Sequence, residues 1–193
     1  MLTNSPFGVN LQHVMSGAAL FFFLSIPLFV AGQQITEVGT RWNDSFREWV
    51  LYEEGEEAGY LRPIWEIDNI WSAWEYSAGE RYGTIKLKWK DNPNEWELRG
   101  DNVIITARTV WNDNLLEWRI SDGNCTITIR SRFGNLLEDW ESRSSNCGNW
   151  NTYTIYEGDP RDWAIEEALY EEGAFHLSLM ATFIAIFHST PKE

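Results

Sequence analysis

The sequence predicts an all-β chain, an antiparallel meander of about six tandem β-hairpins, and three observations carry that prediction. Two aromatic residues recur seven apart around a polar, acidic turn, as in WNDSFREW (42–49), WKDNPNEW (89–96), WNDNLLEW (111–118), FGNLLEDW (133–140) and YEGDPRDW (156–163). The second aromatics, Trp49, Trp74, Trp96, Trp118, Trp140 and Trp163, follow one another at spacings of 25, 22, 22, 22 and 23 residues. The segments between the turns alternate apolar and polar residues with the period of two that a half-buried strand requires. A period so regular marks a repeat architecture and dictates the fold before any single motif does.

The elements follow in chain order. Residues 1–32 contain no Lys, Arg, Asp or Glu and hold an apolar run of 14, AALFFFLSIPLFVA (18–31). As a helix this run spans about 21 Å, short of a bilayer core of roughly 30 Å. Small residues follow it, so 1–32 reads as a secretory signal peptide. An n-region without Lys or Arg keeps an uncleaved anchor or a buried segment as the other readings. No cysteine lies near the cleavage point, which argues against a lipid anchor there.

Residues 33–193 then read as a single domain. Its repeats fall near 40–60, 61–82, 83–101, 102–123, 124–150 and 151–172, and 173–193 form closing strands or a tail. The second unit is irregular: its frame runs from Trp65 to Trp74 with Trp71 inside, after the loop YEEGEEAGY (52–60). In the third unit, TIKLKWK (84–90) sets Ile85, Leu87 and Trp89 on one face and Lys86, Lys88 and Lys90 on the other. In the fifth, CTITIRSRF (125–133) alternates in the same way. The intervening DNPN and NDNL are turn formers, through Asx side-chain bonding and the fixed φ of proline.

A spacing of seven closes a four-residue loop if the two aromatics face each other. That register pairs Trp89 with Trp96, Leu87 with Leu98, Lys88 with Glu97 and Lys90 with Glu95. In the fifth unit it pairs Phe133 with Trp140 and Arg132 with Glu141. Cross-strand pairs of this kind contribute roughly 0.2–1 kcal/mol each. The same register sets residue 125 opposite 148, so Cys125 and Cys147 lie at the open end of one hairpin and are expected to form a disulfide, given a bulge to correct the offset.

The tail AFHLSLMATFIAIF (174–187) also alternates, with Phe175, Leu177, Leu179, Ala181, Phe183, Ala185 and Phe187 on one parity. It is expected to complete the sheet as one strand or a bent pair; a C-terminal anchor and an amphipathic helix are the rivals. Twelve to fourteen strands with one apolar face would leave a round soluble barrel too wide for one layer of side chains to fill. The sheet is therefore expected to form a sandwich, a prism or roll, or a repeat array. A β-trefoil would repeat every two hairpins, whereas here each hairpin carries the frame. The hairpin frame alone is similar to those of surface-attached choline-binding modules and of the MORN repeat, without their regular glycines, and no function or site is carried over from them.

Composition narrows the function. The formal net charge is −14, all of it from residues beyond 32. Such a surface repels phosphate backbones, and the counterion-release contribution that drives nucleic-acid binding is missing. No GxSxG, phosphate loop, HExxH or CxxC is present. Beyond residue 32 the histidines are His176 and His188, both in the tail. No enzyme activity and no cofactor are expected. Asp91, Glu95, Asp113 and Glu117 recur at fixed places in the frames, and repeated oxygens of this kind are the calcium candidates; turn initiation and strand pairing account for them equally. Twelve tryptophans lie between Trp42 and Trp163. Most belong to the core, while Trp71 and Trp150 fall outside the repeated positions and are expected as exposed, ligand-contacting rings.

The expected function is an exported, non-catalytic binding or structural protein, secreted, periplasmic or at the cell surface. Its partners would be protein or carbohydrate, not nucleic acid, and membrane only in the barrel or anchor readings. The alternative is a small outer-membrane β-barrel with the tryptophan face toward lipid.

Overall fold

A computed structural model describes residues 34–65, 71–134, 136–170 and 173–192. The described residues all belong to one compact unit, 31–193. The signal segment proposed for 1–32 lies outside the described residues.

Twelve antiparallel strands run in chain order: β1 (Glu37–Trp42), β2 (Ser45–Glu53), β3 (Glu56–Pro63), β4 (Ala73–Ala78), β5 (Arg81–Leu87), β6 (Glu95–Gly100), β7 (Val103–Thr109), β8 (Glu117–Ser121), β9 (Thr126–Ser131), β10 (Asp139–Ser145), β11 (Gly148–Tyr156) and β12 (Asp159–Leu169). Each pairs with its neighbours in sequence, and β1 pairs with β12. The meander is as predicted, but it closes into a barrel rather than a sandwich, roll or open array.

The filler of the barrel is the tail. Residues Ala174–Ser189 form a helix, α1, and every residue from Phe175 to Ile186 is buried. This corrects the expected closing strand. Its parity of large apolar side chains is real, but the segment is apolar on all sides, as a helix enclosed by a wall must be. The objection that a twelve-stranded barrel is too wide for one layer of side chains is thereby met: the lumen holds wall side chains and a helix.

The aromatic frame dictates how wall meets helix. Trp49, Trp74, Trp96, Trp118, Trp140 and Trp163 all point inward, and none is more than 2 % exposed. Phe183 meets Trp74 and Trp96 edge to face, with ring centroids 5.6 and 5.0 Å apart. Phe187 meets Trp96 at 4.9 Å, and His188 stacks on Trp118 at 5.0 Å. A buried indole must also satisfy its N–H. Five of the six do so in the same way, donating to the carbonyl three residues earlier: Trp49 to Phe46, Trp74 to Trp71, Trp118 to Leu115, Trp140 to Leu137 and Trp163 to Pro160, at 2.8–3.3 Å.

The outward faces are charged. Arg62 pairs with Glu75 at 2.8 Å and Arg130 with Glu141 at 2.9 Å across adjacent strands. The closed barrel is the shape the outer-membrane alternative called for, but the tryptophan face it would turn to lipid points inward, against α1, and that orientation is corrected. Among the described residues no helix is long and apolar enough to cross a membrane.

The register differs from the predicted one by two residues. Leu87 pairs with Trp96, Lys86 with Glu97 and Ile85 with Leu98; Ser131 pairs with Trp140 and Arg130 with Glu141. A shift of two preserves which face each residue occupies, so the apolar face was predicted correctly. The loop is longer than expected, and the first aromatic of the frame leaves the ladder.

Cys125 and Cys147 form a disulfide, with Cα atoms 5.7 Å apart. It joins the β8–β9 and β10–β11 connections at one mouth of the barrel. At the same mouth the β2–β3 and β6–β7 hairpins turn in two residues each, Glu54–Gly55 and Asp101–Asn102, all four at positive φ. This backbone matches the strand twist and suits Gly, Asn and Asp; Glu54 is the exception.

Candidate functional site

The six connections that carry the frames all lie at the opposite mouth. Each places its first aromatic in solvent: Trp42, Trp65, Trp89, Trp111, Phe133 and Tyr156 are 56–66 % exposed. Leu116 and Leu136 are exposed in the same loops. Each frame thus sends one ring inward to the helix and one outward to a rim. Exposed apolar residues gathered at one end of a molecule mark an interaction surface more than scattered ones do.

Two rim rings are fixed by their edges. The Trp42 indole N–H donates to Glu48 Oε2 at 3.1 Å, and that of Trp89 to Glu95 Oε2 at 2.9 Å. The other oxygen of Glu95 accepts from Lys88 Nζ at 2.6 Å, and Lys88 lies 5.8 Å from the Trp89 ring centre. The Lys88 hydrogen bond, chiefly, holds the Glu95 carboxyl below its ordinary range. Adjacent loops are joined as well: Asn94 Oδ1 accepts from the Asp113 backbone N–H at 2.9 Å, and Asn94 Nδ2 donates to Asp113 Oδ1 at 3.1 Å. Trp42 and Trp89 are therefore preset aromatic platforms beside polar loop tips.

The four calcium candidates have other employment. Asp91 and Asp113 occupy left-handed turn positions, with φ of 62° and 61°. Glu95 holds Trp89 and Lys88, and Glu117 pairs with Arg143 at 3.1 Å. Among the described residues no three His, Cys, Asp or Glu side chains gather as a metal site.

The two rings expected to be exposed are placed otherwise. Trp150 is wholly buried, opposite Glu167 in the β11–β12 ladder. Trp71 is half-buried, between the Arg47 guanidinium at 5.2 Å and Lys192 Nζ at 5.4 Å. It occupies the position three residues before the inward tryptophan, the place held by Phe46, Pro93, Leu115, Leu137 and Pro160 in the other frames. It belongs to the repeat after all. The rim rings were missed as a group because the predicted register paired Trp89 with Trp96 and assigned both to the apolar face.

The two tail histidines lie on α1 inside the wall. His176 Nε2 is 3.1 Å from Asp101 Oδ2. His188 is pushed down to about 3 by burial, with Lys192 adding to the shift. Lys192 Nζ donates to the carbonyls of Phe187 and Thr190, closing the helix C-terminus, and burial lowers its pKa to about 8.

The fold and rim define a β-rich barrel compatible with a binding role. Searches against family models, curated proteins and solved structures find no match to this chain.

Proposed function

We propose that this chain is a non-catalytic binding protein that works outside the cytoplasm or at a cell surface, and that the rim aromatics are its contacts for glycans. The observation that carries the reading is the repeat of one solvent-facing ring at each of the six connections of one mouth. A flat ring fixed at its edge offers a sugar face a stacking surface with little ordering to be done on binding. The Asn-rich tips beside the rings supply donors and acceptors for hydroxyls. Repeated platforms on one scaffold suit a polymer, because several weak contacts combine. The Cys125–Cys147 disulfide is compatible with an oxidising compartment, and the apolar stretch near the start of the chain suits export.

A panel of neutral and acidic polysaccharides, read by isothermal titration calorimetry on the full-length protein, tests this. Binding that falls at least tenfold in Trp89→Ala/Trp111→Ala supports the rim reading. A silent panel, or binding indifferent to that double substitution, removes it.

A further inference from the structure

One row of outward side chains sets two arginines opposite each other. Lys88 faces Glu95, Glu95 faces Arg108, Arg108 faces Arg119, and Arg119 faces Thr128 across successive strands. Arg108 and Arg119 are thus directly opposite like charges, an arrangement that costs stability in a sheet. It occurs in a chain where 29 acidic residues face 15 basic ones, so carboxylate partners are plentiful. Arg62, Arg130, Arg132, Arg143 and Arg161 all have one within 3.1 Å. Among the described residues neither Arg108 nor Arg119 has one within 4.0 Å, and both are exposed.

The pair lines a groove of about 510 Å³ on the outer wall, with Thr106, Ser121 and Thr126 along it. The two acids in that groove are engaged already. Glu95 accepts from Lys88 and the Trp89 indole. Asp122 Oδ1 accepts from the backbone N–H groups of Asn124 and Cys125, at 2.8 and 2.7 Å. Arg108 feels the Glu95 charge across the strand without a hydrogen bond to it, so among the described residues both guanidinium forks keep their donors for a ligand, the geometry that grips a carboxylate, sulfate or phosphate through two parallel bonds.

The groove is continuous with the rim. Trp89 is bonded to Glu95, and Arg119 lies two strands beyond Glu95, about 10 Å away at ordinary strand spacing. That is the span of a disaccharide. We infer that the Arg108–Arg119 pair receives the oxyanion of an acidic saccharide, its sulfate or carboxylate on the two guanidinium groups and an adjoining sugar ring against Trp89. This rests on the rim reading and names its ligand class. Both arginines are solvent-facing, so the preference for the acidic form weakens as salt rises.

The test uses full-length protein and three probes: cellotetraose, sulfated cellotetraose and inorganic sulfate, each titrated calorimetrically at low salt. The sulfated form is expected to bind at least tenfold tighter than cellotetraose. Arg108→Gln/Arg119→Gln should bring the two to the same affinity, and Arg108→Lys/Arg119→Lys should keep part of the preference. Arg119→Gln alone serves if the double variant does not melt like the wild type. Equal binding of both saccharides to the wild type, or a preference that survives the double glutamine variant, overturns the inference and leaves the rim reading standing. Inorganic sulfate binding as tightly as the sulfated saccharide makes the pair a site for the bare ion and also overturns it. Sulfated cellotetraose whose affinity is indifferent to Trp89→Ala removes the rim from this face and overturns the combined site.

Discussion

Trp89 and Trp96, the two ends of one frame, lie on opposite sides of the barrel wall: Trp89 is 57 % exposed and Trp96 is 1 % exposed against Phe183 and Phe187. Their energetic weights should be as different as their surroundings. Trp96→Ala removes a buried ring and leaves a cavity, which costs about 3–5 kcal/mol. Trp89→Ala should cost about 1 kcal/mol or less, in the range of an exposed site. Urea unfolding of the two variants checks this; similar losses would mean that the outer ring is structural.

The plug can be probed from inside. Phe183 touches Trp74, Trp96 and Phe187 with centroids 5.0–5.6 Å away. Phe183→Ala should cost about 3–5 kcal/mol and lower the melting temperature in a single transition, because wall and helix share one core. Two separate transitions would show a barrel that stands without its filler.

Acid should act through His188. Its pKa falls from the ordinary 6.5 to about 3 in the folded chain. The unfolded chain therefore binds the proton first as pH drops. The stability tied to this group is complete above about pH 6.5 and is lost progressively between there and about pH 3, by roughly 1.4 kcal/mol per pH unit. His188→Gln cannot take up that proton, so its unfolding midpoint should fall less steeply over the same window. Parallel slopes for variant and wild type would refute the burial of the imidazole.

Tyr76 makes the opposite kind of prediction. Among the described residues its hydroxyl is buried without a hydrogen-bond partner, and burial raises its pKa well above the ordinary range. Tyr76→Phe deletes an unsatisfied polar group and should be neutral or stabilising by about 1 kcal/mol. Gly100→Ala should destabilise, since a methyl group there would stand 2.1 Å from that hydroxyl and 2.6 Å from the Tyr82 carbonyl oxygen. Thermal melts of both variants decide it.

The Cys125–Cys147 disulfide spans 22 residues, and closing a loop of that length stabilises by about 3 kcal/mol in the chain-entropy view. Cys125→Ser/Cys147→Ser should lose that amount in denaturant titrations, and reductant should then have no further effect.

Much of this was legible in the chain. The period near 22 gave the number of hairpins, and alternation gave the face that each of Ile85, Leu87, Ile127 and Ile129 occupies. The cysteine pair followed from hairpin geometry even though the register was two residues off. That error went undetected because an even shift leaves every residue on its own face; only the loop length and the fate of Trp89 and Phe133 reveal it. The tail was harder. A helix enclosed on every side has no polar stripe to impose a 3.6-residue period, so Phe175, Leu177, Leu179 and Phe183 left an alternation that resembled a strand. The rim as a site required the observed register, and the Arg108–Arg119 contact required knowing that β7 and β8 are paired as they are.

The path of the helix has a consequence for how the molecule is made. The chain leaves β12 at the disulfide-bearing mouth, passes through the lumen as α1 and emerges among the rim loops, where Trp140 Nε1 reaches Ser189 Oγ at 3.0 Å. A wall already sealed would have to be threaded. It is far simpler for the strands to wrap around the tail and zip shut last at the β1–β12 seam, where three positions are paired against eight between β11 and β12. That seam joins β1 to β12, the two strands farthest apart in sequence, so closure waits until β12 is in place. A barrel wrapped around its own C-terminal helix is thus assembled from the inside outward, its wall the last layer to be completed.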